Sequence, residues 1–74
     1  MHMPNETSTD VAANLRAEIA RRQKRQADLA DIWGMSPMAV SRRINGAVPL
    51  STDQTAAAAK WLGLDVADLF REAS

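Results

Sequence analysis

Seventy-four residues, nine Lys or Arg against nine Asp or Glu, and no cysteine describe a small neutral chain without disulfide or thiolate-metal staples. That length bounds one domain near the lower limit for an independent core, so helix packing alone must hold it. No apolar run approaches the roughly 20 residues that span a bilayer, and no signal-peptide pattern is read at the start, so a cytoplasmic protein with no membrane partner is expected.

Residues 1–8 are polar and aperiodic and read as a flexible tail, which holds His2 and gives it no functional weight; residues 9–74 read as the domain. A first helix is expected from about Thr9 to Arg22, with Ala12, Leu15 and Ile19 on its inner stripe. The basic connector Gln23-Lys24-Arg25 leads to a second helix, about Gln26 to Trp33, whose inner face is Leu29, Ala30 and Trp33. Gly34 supplies the left-handed residue that ends it. Ser36 caps a third helix, about Pro37 to Asn45, with Pro37 at a first position that needs no backbone donor. Val40 and Ile44 face inward at i, i+4, which turns Pro37, Met38, Ser41 and Arg42 elsewhere.

Asn45-Gly46 closes the third helix, and Ala47-Val48-Pro49-Leu50 forms an extended link in which Pro49 forbids helix. A fourth helix opens with the capping-box spacing of Ser51 and Gln54 and stops at Gly63. A fifth is capped by Asp65 with Asp68 three residues on, flanked by Leu64 and Leu69 at staple positions. The expected fold is an all-α, compact five-helix bundle whose second and third helices, sharing one buried face across a tight turn, form a helix-turn-helix suited to the DNA major groove.

Charge is polarised along the chain. From Arg16 to Gly46, seven cations (Arg16, Arg21, Arg22, Lys24, Arg25, Arg42, Arg43) stand against Glu18, Asp28 and Asp31, a net charge of +4. The segment from Ala47 onward and the first fifteen residues each carry −2. The positive part coincides with the two-helix motif.

Over about Val11 to Phe70 the chain resembles the phage repressor and Cro-type (Xre-like, lambda repressor-like) helix-turn-helix family. The markers are Gln26, Leu29-Ala30, Gly34-Met35-Ser36, Val40-Ser41, Asn45-Gly46 and the closing run Leu62-Gly-Leu-Asp-Val-Ala-Asp-Leu69. Two departures stand out. Where the family pairs an arginine late in the first helix with a glutamate late in the third, this chain has Ile19 and Ile44, which are expected to touch. Where the family carries larger aliphatics in the fourth helix, it has Ala56, Ala58 and Ala59; Trp33 in the core, and Trp61 in the core or at a partner surface, could supply the volume.

The resemblance implies double-stranded DNA as partner and repression as the role, in a bacterial or phage setting. Gln26, at a helix start where the dipole and free amides favour phosphate, is expected to contact the backbone; the resemblance adds that its amide braces the third helix. Arg42 is the first choice for a guanine contact, Pro37 and Met38 for thymine methyls, and Arg43 for phosphate. Ser36, Ser41, Asn45 and Gly46 complete the expected DNA-binding set, with the amides of residues 45–47 as further phosphate donors. Arg21, Arg22, Lys24 and Arg25 are weaker candidates. A homodimer through the fifth helix, with Phe70 and Val66 exposed, would meet a palindromic operator.

No enzymatic activity, metal, cofactor or small-molecule ligand is expected, because acidic residues are scattered and no phosphate loop or ligand cluster is present. The alternative is a helix-turn-helix used for protein contacts, such as an antitoxin or an adaptor to RNA polymerase.

Overall fold

The computed structural model describes the backbone of residues 6–70 and the side chains of residues 11–70. Within them the chain forms five α-helices and no strand: α1 (Glu6–Arg21), α2 (Asp28–Trp33), α3 (Pro37–Ile44), α4 (Thr52–Leu62) and α5 (Val66–Leu69). Helix α1 begins at Glu6, ahead of the Thr9 start the sequence suggests; residues 1–5 of the expected tail lie outside the described residues.

The inner stripe of α1 is Val11, Leu15 and Glu18 at i, i+4, i+7, with Ala12 beside it, while Ile19 is only half-buried. A carboxylate thus occupies a position where the helical period calls for a hydrophobe. Glu18 is 5% exposed and accepts from Arg21 Nη1 at 2.8 Å and from Arg22 Nη1. Burial of this charge is tolerable because two guanidiniums on the next turn compensate it.

Helix α2 starts at Asp28, two residues later than the pattern around Gln26 predicts. The amides of Asp28, Leu29 and Ala30 bond back to the carbonyls of Arg25, Gln26 and Ala27, an i to i−3 turn that tightens the approach to the helix.

Four helices stop by one device. An amide bonds back to the carbonyl five residues earlier: Lys24 to Ile19, Met35 to Ala30, Ala47 to Arg42 and Leu64 to Ala59, at 2.9–3.0 Å. Each such turn needs a left-handed residue just before its last member. The chain's three glycines fill it at Gly34, Gly46 and Gly63, and Gln23 (φ 54) fills it after α1. Starts are equally local. Ser36 Oγ accepts from the Ala39 amide at 3.2 Å, Ser51 and Gln54 exchange both capping-box bonds at 3.0 Å, and Asp68 Oδ2 accepts from the Asp65 amide at 3.3 Å.

Helix α1 packs on α3, α4 and α5; α2 packs on α3 and α4; and α4 packs on α5. Leu15, Leu29, Val40, Ile44, Leu62 and Leu69 are buried together with Val11, Ala58 and Ala59. Each fully buried Leu, Ile or Val contributes about 1.5–3 kcal/mol. Ala58 and Ala59 let α4 approach closely, whereas Ala56 is exposed. Trp33 and Trp61 are half-buried against this cluster, as is Ile19, which packs on the group that holds Ile44. The Trp33 indole donates to the Gln54 carbonyl at 3.0 Å, which ties α2 to α4, and Lys24 Nζ lies 5.6 Å from the centre of the Trp61 ring.

Candidate nucleic-acid interface

Helices α2 and α3 are joined by Gly34, Met35 and Ser36, and both turn apolar residues (Leu29; Val40 and Ile44) into the same core. That shared anchoring fixes the outer face of α3. Met38 is 64% exposed, Pro37 and Arg42 are exposed, and Ser41 is half-buried beside them. Two i, i+4 contacts lace this face: Arg42 Nη2 donates to Met38 Sδ at 3.4 Å, and Asn45 Nδ2 donates to Ser41 Oγ at 3.2 Å. Among the described residues no carboxylate pairs with Arg42.

Gln26 is exposed and lines a depression of about 230 Å³ together with Ala27, Pro37 and Val40. The residue that precedes α2 and the residue that begins α3 therefore border one concavity, and Gln26 lies on the side of the molecule where α3 begins. The amides of residues 28–30 are not the free donors expected from the sequence, because they already bond to the preceding turn. Any anion contact here falls to the Gln26 side chain or to the amides of residues 26 and 27, which precede that turn.

A second expectation changes at the other end of α3. The amides of Asn45, Gly46 and Ala47 bond to the carbonyls of Ser41, Arg43 and Arg42 at 2.9–3.1 Å, so they close the helix and leave no unused donor for phosphate. Gly46 serves the backbone instead. At φ 83 it makes the turn, and a Cβ there would stand 3.9 Å from that of Ala12. Ser36 likewise acts as the α3 cap. Arg43 lies along its own helix, half-buried, donating through Nη1 to the Ala39 carbonyl at 3.1 Å, with Nε buried and unpartnered.

The remaining cations divide sharply. Arg21 and Arg22 are taken up by Glu18, Arg25 Nη2 lies 3.9 Å from Asp28, and Lys24 sits over Trp61. Arg16, given no role by sequence reasoning, donates from Nη1 to the Ile44 carbonyl at 2.6 Å. It is a cation on the carbonyl end of α3, where the helix dipole favours it, and it ties that end to α1. Its only sequence signal is its place one turn before Ile19.

Compared with protein-family models, curated proteins and solved structures, the chain finds no match. Among the described residues no cluster of His, Asp or Glu could hold a metal ion, and no helix is long and apolar enough to cross a membrane.

Proposed function

We propose that this chain is a helix-turn-helix protein of the repressor and Cro type, which binds double-stranded DNA by seating α3 in the major groove and represses transcription by occluding polymerase. The observation that carries the reading is the outer face of α3: Met38, Ser41 and an Arg42 with no acidic partner among the described residues, on a helix anchored by Val40 and Ile44, with Gln26 beside its first turn. Arginine offers guanine a bidentate partner, and the Gln26 side chain is placed to take a phosphate flanking the groove. Val66 and Phe70, 39% and 47% exposed at α5, support pairing of two copies on half-sites about 34 Å apart.

The second reading, a protein-interaction module such as an antitoxin or polymerase adaptor, is favoured by the internal neutralisation of Arg21 and Arg22. A titration separates the two. Binding is measured against a random duplex and then against the DNA upstream of the protein's own gene, each over a salt series. DNA binding predicts retention at low salt with an affinity that falls as salt rises; no retained duplex at low ionic strength favours the second reading. Arg42→Ala should then cost about 1–3 kcal/mol at the specific site and relax one base position. A uniform loss across sequences would assign Arg42 to phosphate.

A further inference from the structure

Resting on that reading, we propose that Met38 and Arg42 act as one unit that reads a guanine together with a thymine in the adjacent base pair. Three observations carry the inference. The thioether and the guanidinium touch, Nη2 to Sδ at 3.4 Å, across one turn of α3. Met38 is the most exposed large hydrophobic residue among those described, at 64%. Arg42 has no acidic partner among the described residues to turn it away from an approaching surface.

The chemistry follows from these contacts. A thioether is a weak acceptor, whereas guanine O6 and N7 are strong ones, so a guanidinium resting on sulfur retains donors for the base. Stacked bases rise about 3.4 Å per pair along each strand. A thioether 3.4 Å from the guanidinium spans that rise when the two groups lie along the duplex axis, the orientation this proposal requires. In the major groove only thymine presents an apolar methyl group; cytosine presents an amino donor that a thioether satisfies poorly. The pair of residues accordingly fits a guanine flanked by thymine better than a guanine flanked by cytosine.

The test begins with selection of bound duplexes from a random pool by wild-type protein and by Arg42→Ala, which marks the guanine that Arg42 reads. The flanking thymine is then replaced by deoxyuridine, which removes the methyl and nothing else. Wild type should lose about fourfold in affinity, the worth of one buried methyl. On the same replacement Met38→Leu, which keeps an apolar end, should lose a similar factor, and Met38→Ala less than about 1.5-fold. Met38 is exposed, so all three proteins should show the same helical circular dichroism. A selected guanine without a flanking thymine overturns the proposal, and so does a deoxyuridine penalty equal in wild type and Met38→Ala. Those results leave DNA binding intact, whereas failure to retain any duplex removes the underlying reading as well.

Discussion

Gln23→Gly tests whether the stop signal after α1 carries strain. Gln23 sits at φ 54, in the turn where the Lys24 amide reaches the Ile19 carbonyl at 3.0 Å, and the equivalent position after α2, α3 and α4 is glycine. A side chain in the left-handed region costs about 1–2 kcal/mol. Glycine removes that cost but adds freedom to the unfolded chain, which offsets about 0.4–1 kcal/mol. The Gln23 side chain is exposed, so little packing is lost. The net expectation is a gain between about 0 and 1.6 kcal/mol, centred near 0.8 kcal/mol, or roughly 3–6 °C in melting temperature for a domain of this size. Thermal and urea unfolding followed by far-ultraviolet circular dichroism measure it, with Gly46→Ala as the opposite control. A lower midpoint for Gln23→Gly would refute the assignment of strain to this residue.

Three further variants probe other links. Leu29→Ala, at a fully buried position, should lose about 2–5 kcal/mol, a large part of the roughly 4–11 kcal/mol expected for 74 residues; a urea midpoint near wild type would show that the core closes without it. Ser51→Ala removes one arm of the α4 capping box and should cost about 1 kcal/mol by the same assay, and a change under about 0.2 kcal/mol would deny the cap its role. Arg43→Met keeps a long aliphatic stem and deletes the buried, unpartnered Nε, so stability should hold or rise; a loss above about 1 kcal/mol would mean that the Ala39 bond matters more than the orphaned group. The same variant should lower the salt slope of duplex binding by about one unit if Arg43 reaches phosphate, and leave it unchanged if the guanidinium stays along its helix.

Much of the fold is legible in the sequence because its signals are local. Gly34 with Ser36-Pro37 and Ser51 with Gln54 each act within one turn and form in the structure as their spacing predicts, while at Asp65 the bond that forms is the return one, from its amide to the Asp68 carboxylate. The helical period likewise places Leu29, Val40 and Ile44 inside. What escapes is long-range and polar. Arg16 on the Ile44 carbonyl and Asn14 on the Leu69 carbonyl, 3.0 Å away, use backbone acceptors, which have no signature in a sequence. Glu18 is hidden for a related reason: charge argues for solvent, but its position in the period, and arginines three and four residues on, carry it inward. The start of α2 reads two residues early because an i to i−3 turn and a helical turn share one apolar pattern. At the candidate site, the outer face of α3 follows from periodicity, whereas the use of the amides at both its borders depends on turns that only coordinates reveal.

The placement of the two indoles makes the molecule its own optical probe. Trp33 is hydrogen-bonded to the start of α4 and Trp61 sits near its end under an ammonium group, both half-shielded from water and neither on the outer face of α3. Their emission should shift to the red when the bundle opens and change little when a duplex is added. Intrinsic fluorescence would therefore follow denaturation with low background from ligand, and a bound oligonucleotide would have to carry its own dye.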